Sequence, residues 1–113
     1  MHIAPPNELK SHSSPWPFAW WELDLLGSFM VGTNQNKYLI ITVNYFTKWI
    51  EAEALAKINT QNVLRFYKRN ILARFGILQA IVTDNGTQFT DHTFQEFVTK
   101  LGTTQHFASM EHS

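Results

Sequence analysis

With 113 residues, nine basic and nine acidic side chains and no cysteine, the chain has room for one domain. It cannot form a disulfide or a cysteine-ligated zinc site, and it has no basic excess with which to grip a phosphate backbone by bulk charge. Its 44% hydrophobic and 14% aromatic content is that of a domain with an apolar core, not of a disordered chain.

Residues 1–17 read as an extended linker. Pro5, Pro6, Pro15 and Pro17, with Ser11, Ser13 and Ser14, break any periodicity and cannot feed a sheet ladder. The first six residues hold no long apolar run, so neither a signal peptide nor a membrane span is expected, and the lack of cysteine points to a reducing compartment. The folded domain is assigned to residues 18–113.

From Phe18 the pattern changes. Trp21, Leu23 and Leu25 alternate with Trp20, Glu22 and Asp24, which predicts a strand ending near Gly27. Residues 32–36 (GTNQN) form a turn, and residues 37–44 (KYLIITVN), nearly all apolar or β-branched, predict a central strand. Tyr45 to Thr47 turn the chain again. Residues 48–55 then place Trp49, Glu51 and Glu53 opposite Ile50, Ala52 and Ala54, an edge-like strand with one polar face.

A helix follows, with Thr60 as its N-cap, Val63, Phe66, Tyr67, Ile71 and Phe75 at helical spacing, and Gly76 as its C-terminal glycine. Arg65, Lys68 and Arg69 occupy its other side, read as a solvated face in preference to a DNA contact because the net charge is zero. Residues 77–83 predict a strand running into Asp84-Asn85-Gly86. A second helix is capped by Asp91, carries Phe94, Phe97, Val98 and Leu101, and stops at Gly102; residues 104–108 predict a last strand. Three strands joined by short turns should be antiparallel, and the later strand–helix–strand connections favour parallel pairing. The fold class is α/β, a mixed sheet with helices packed on it.

Two acids sit where charge is awkward. Asp24 lies between Leu23 and Leu25, and Asp84 directly follows the Ile81-Val82-Thr83 strand. A carboxylate beside a sheet core is costly unless paired, hydrogen-bonded or bound to a metal. If their strands are neighbours, both carboxylates converge on one hard divalent cation, for which Mg²⁺ with carboxylates, waters and phosphate oxygens is suited. Two such ions about 3.5–4 Å apart support in-line attack on phosphorus. Taken singly, Asp-Asn-Gly is foremost a turn, and Asp24 serves equally well as a solvated strand-end residue. Spacing alone leaves both readings open.

The runs SPWPFAWWELDLLGSF, YLIITVNYFTKWIEAEALA, NVLRFYKRNILARFGILQAIVTDNGTQFT and FASMEH, in that order, resemble the integrase catalytic core of gypsy-type LTR retrotransposon polyproteins. The specific motifs are Trp21-x-x-Asp24, Tyr45-Phe46-Thr47-Lys48-Trp49, Arg74-Phe75-Gly76-Ile77 and the Thr83 to Phe89 run TDNGTQF. The resemblance implies an RNase H-like fold with a five-stranded mixed sheet and flanking helices, incomplete at the C-terminus. It also implies a catalytic and metal-binding Asp, Asp, Glu set for Mg²⁺ or Mn²⁺, with Asp24 as the first and Asp84 as the second. The family's Glu follows a His-Pro-Gln-x-Asn-Gly segment; Glu111 comes too early in that pattern, and Ser113 is the last residue here.

Four further departures are Ser113 and Ser28 at positions of a usual Pro, Glu22 at a usual Gly and Asn44 at a usual Asp. The family's zinc module needs cysteines that are absent, which leaves His2 and His12 as linker residues. Trp16, Trp20, Trp21 and Trp49 read as packing residues, with base stacking as the minority reading. Asn85 and Gln88 either touch DNA or close the turn.

Two functions are therefore expected. One is a polynucleotidyl transferase acting on retroelement DNA ends and target DNA, as a homo-oligomer in the nucleus, without membrane association. The other is a non-catalytic remnant with weak nucleic-acid or self-association capacity, which the missing Glu favours for these 113 residues. An unrelated phosphate-binding domain would need a glycine-rich loop opening a helix, and the sequence has none.

Overall fold

A computed structural model describes residues 20–108. The 1–17 linker, including Trp16, His2 and His12, lies outside them, as do Glu111 and Ser113. Five strands form one sheet in the order β3-β2-β1-β4-β5. They are β1 (Trp20–Met30), β2 (Asn36–Asn44), β3 (Ile50–Leu55), β4 (Ala80–Thr83) and β5 (Thr104–Phe107). As expected, β1, β2 and β3 pair antiparallel, whereas β4 joins β1 in parallel and β5 joins β4 in parallel.

The crossover from β3 to β4 is one helical rod over residues 60–75. It consists of α1 (Thr60–Phe66), a π-helical turn (Tyr67–Leu72) and α2 (Ala73–Phe75). Between β4 and β5 lie the single turn α3 (Thr87–Thr90) and the helix α4 (His92–Leu101). Asp91 caps α4, its side chain accepting from the Thr93 N–H, and Gly102 ends it in the left-handed region.

Strand alternation divides the sheet's side chains between two faces. Trp21 and Leu23 of β1, Ile40 of β2, Leu55 of β3 and Ile81 of β4 are buried with Val63, Phe66, Tyr67, Ile71, Phe89, Phe94 and Val98 of the helical layer. Trp21 lies 4.9 Å from Phe75, ring to ring, and Phe94 meets Phe89 and Tyr67 edge-on. Each such fully buried large side chain contributes about 1.5–3 kcal/mol over its exposed form. Because Trp21 and Leu23 face the helices, the same period sends Trp20, Glu22 and Asp24 to the opposite face. That division is what positions the site.

Four expectations are corrected. β1 does not stop at Gly27 but continues to Met30 through a register shift between Gly27 and Phe29. Gly27 has φ 130°, and a Cβ there would meet the Lys37 carbonyl oxygen and Tyr38 at 3.1 Å, so this glycine marks a bulge where β2 approaches closely. The helix cap is Asn59, whose side chain accepts from the Asn62 N–H at 2.8 Å, and Thr60 is the first helical residue. The rod contains a π-turn that simple 3.6-residue spacing does not reveal.

The fourth correction concerns β3, whose faces are the reverse of a simple polar-out reading. Glu51 and Leu55 are buried and Glu53 half-buried, while Ile50, Ala52 and Ala54 are exposed. The acids turn inward because partners await them. Trp49 Nε1, Asn70 Nδ2 and Arg74 all donate to Glu51, and Arg69 donates to both Glu53 oxygens. Burial pushes the Glu51 carboxyl up, but the hydrogen bonds from Trp49 and Asn70 and the charge of Arg74 outweigh it and hold the group below its usual range.

Candidate functional site

β1 and β4 run parallel with Trp20 opposite Ala80, Trp21 opposite Ile81 and Glu22 opposite Val82. Two residues further along the same register, Asp24 falls beside Asp84, the first residue after β4. Asp24 is partly buried in the middle of β1, and Asp84 is exposed at the end of its strand. Burial, the negative charge of Glu22 and the negative charge of Asp84, in that order, raise the Asp24 carboxyl above its ordinary value of 3.8. The influence of Asp84 on Asp24 accords with the register that sets the two aspartates side by side.

Neither aspartate is paired with a basic side chain among the described residues. Asp84 Oδ1 accepts from the Gly86 N–H at 2.8 Å, whereas Asp24 accepts no hydrogen bond among the described residues. Two carboxylates that repel each other and lack a cation are the donor chemistry of a hard divalent ion. No group of three His, Cys, Asp or Glu side chains among the described residues is placed to hold a metal.

A second set of residues holds the Asp84 loop in place. Gln105 Nε2, from β5, donates to Thr83 Oγ1 and to the Phe89 carbonyl, both at 3.0 Å, and Thr83 Oγ1 donates to the Asp84 carbonyl. These bonds tie the end of β4 to β5 and to the single turn α3. Sequence reasoning passed over Gln105 and Thr83, because a side-chain bridge between two strands leaves no mark on local periodicity.

The sequence profile of the family described as "Integrase core domain" matches residues 15–113. The chain belongs to the integrase core domain family. Relatives include the Gag-Pol polyprotein of Gibbon ape leukemia virus, 33% identical over 86 residues, which are 76% of this chain and 5% of that polyprotein. The Pol polyprotein of Radiation murine leukemia virus (strain Kaplan) is 34% identical over 90 residues, 76% of this chain and 15% of its own length. The chain thus spans a small fraction of the polyproteins that it matches.

Among solved structures, the HTLV-2 integrase catalytic core domain in complex with magnesium, in a trimeric form, superposes with a TM-score of 0.72 at 21% identity. The match covers 80% of this chain and 60% of that one. The simian T-cell lymphotropic virus intasome in complex with PP2A regulatory subunit B56 gamma gives a TM-score of 0.71 at 20% identity, over 83% of this chain and 33% of that one. These superpositions establish the fold of retroviral integrase cores, an RNase H-like mixed sheet.

Within this integrase core, the other candidate residues find structural roles. Arg69 is engaged by Glu53, Arg65 donates to Asn62, and the Lys68 ammonium lies 5.2 Å from the Phe97 ring centre. Trp21 is wholly buried, Trp49 is tied to Glu51, and Trp20 stacks on His106 with ring centres 5.1 Å apart. Gln88 Nε2 donates to the Ile58 carbonyl, which closes the loop against the start of the helical rod.

Proposed function

We propose that this integrase core works in DNA integration, with Asp24 and Asp84 as two of the three carboxylates that hold Mg²⁺ or Mn²⁺. The observation that supports the reading is the β1–β4 register, which continued by two residues sets Asp24 level with Asp84, neither of them paired with a basic side chain among the described residues. A divalent ion bound there supplies charge neutralisation at a phosphate and activation of the attacking oxygen. Asp24 contributes a carboxylate fixed by the sheet, since Leu23 beside it is wholly buried. Asp84 contributes one at a strand end, steadied by the Gly86 N–H. The substrates would be retroelement ends and target DNA, the place of action the nucleus, and the working form a homo-oligomer. The magnesium-bound and trimeric HTLV-2 core lends support to the cation and to self-association.

The gypsy-type assignment within the family rests on Tyr45-Phe46-Thr47-Lys48-Trp49 and Arg74-Phe75-Gly76-Ile77. A second reading, a core segment without activity of its own, is supported by the described residues holding no group of three His, Cys, Asp or Glu side chains placed for a metal, since Glu22 beside Asp24 does not complete one. A strand-transfer assay on a terminal-DNA duplex separates the two. The 113-residue chain is expected to join no ends with Mg²⁺ or Mn²⁺, and a chain continued through the helix that carries the Glu is expected to join them and to lose that activity in Asp84→Asn. Joining by the 113-residue chain itself, abolished by Asp24→Asn, would refute this three-carboxylate account and direct attention to Glu111.

A further inference from the structure

We infer that Gly86 is a positioning residue for the Asp84 carboxylate: its N–H holds Oδ1, and its lack of a side chain leaves Oδ1 the room to be held. The inference rests on the metal-site reading above. Gly27, Gly32, Gly76 and Gly102 all have positive φ, a backbone need that explains a glycine at each. Gly86 does not. Its φ of −61° and ψ of 152° suit any residue. What a side chain would lack there is space, since a Cβ would lie 3.0 Å from Asp84 Oδ1 and 3.4 Å from Gln88 Oε1.

The two neighbours differ in how freely they can yield. Gln88 is a long side chain whose amide holds the Ile58 carbonyl by a bond of 3.4 Å, so it can swing aside cheaply. Asp84 Oδ1 sits 2.8 Å from the Gly86 nitrogen, so any retreat from a new Cβ also lengthens that bond. The main chain cannot absorb the shift readily, because Thr83 Oγ1 holds the Asp84 carbonyl and Gln105 holds Thr83. The displacement therefore falls on the carboxylate. With Oδ1 engaged by Gly86, Oδ2 is the oxygen left for a cation.

The test follows amide resonances of the full 113-residue chain as Mn²⁺ is added, in the wild type, Gly86→Ala, Gly86→Ala/Gln88→Ala, Asp24→Asn and Asp84→Asn. Gly86→Ala should keep the wild-type thermal midpoint and, outside residues 84–88, the wild-type spectrum, since alanine accepts this backbone. The Mn²⁺ concentration that half-broadens the resonances around residues 24 and 84 should rise on the order of tenfold, as for loss of an outer partner that orients a ligand. Adding Gln88→Ala should not restore it. If Gly86→Ala binds Mn²⁺ like the wild type while both Asp→Asn variants lose binding, the positioning role is wrong and the metal site stands. If neither Asp→Asn variant alters the broadening, the metal site itself is wrong. Unfolding of Gly86→Ala, or rescue by Gln88→Ala, would also overturn the inference, because either places the obstacle somewhere other than the carboxylate.

Discussion

Asp24 carries a cost that the proposed metal-binding role would explain. Its carboxyl is raised by burial and by the charges of Glu22 and Asp84, so the ionised form is worse off in the folded chain than in the unfolded one. The folded chain then binds the proton at higher pH than the unfolded chain does, and stability contributed by this group rises as pH falls through the window just above 3.8. Asp24→Asn should therefore raise the thermal midpoint at neutral pH, and the difference from the wild type should shrink as the solution is acidified through that window. A lower midpoint in Asp24→Asn at neutral pH would show that Asp24 has a stabilising partner. Tyr67 is a second strained group of a different kind. Its ring is wholly buried and burial pushes its hydroxyl up to about 12, while the nearby Thr103 hydroxyl donates to the Leu78 carbonyl instead. Its oxygen makes no hydrogen bond of good geometry among the described residues. Tyr67→Phe should be neutral or stabilising by up to about 1 kcal/mol in urea unfolding, and should remove a loss of wild-type stability between pH 10 and about 12. The sign follows because the unfolded tyrosine gives up its proton first.

At the scale of elements, legibility tracked how local the cause was. The Asp91 cap and the Gly76 and Gly102 stops were readable because each acts within one turn of its own helix. The continuation of β1 past Gly27 was not, since that glycine answers to Lys37 and Tyr38 on the neighbouring strand. The inward turn of Glu51 was hidden for the same reason: its partners Asn70 and Arg74 lie 19 and 23 residues away. The π-turn falls over Tyr67–Leu72, the stretch that holds Asn70. Glu51→Ala should strip the acceptor from three donors and cost about 1–3 kcal/mol in chemical denaturation, despite removing a charge from a nearly buried site. An unchanged midpoint would mean that water satisfies those donors equally well. The candidate site was half legible. Asp24 and Asp84 stand out as acids against apolar strands, but their meeting depends on the β1–β4 register, which no local pattern encodes.

Among the described residues, large apolar side chains divide between a buried core and an exposed set. Helices bury the side with Trp21, Leu23 and Ile81, while Leu26, Phe29, Met30, Phe46, Trp49 and Ile50 are each 45% to 69% exposed. So much exposed apolar surface favours association. Sedimentation of the chain should show concentration-dependent self-association that Ile50→Lys weakens; a monomer at all concentrations would contradict this expectation. The zero net charge offers the proposed DNA-acting role no basic excess, and two of the helical arginines are further engaged by Glu51 and Glu53. Binding of DNA through bulk charge is thus not expected of these residues alone. The central claim is that Asp24 and Asp84 together form a cation site, and calorimetric titration with Mn²⁺ tests it most directly. Two carboxylates without a third should give millimolar affinity, because an incomplete shell leaves the ion mostly hydrated, and either Asp24→Asn or Asp84→Asn should abolish the heat. Micromolar binding that survives both substitutions would place the metal elsewhere and contradict the account.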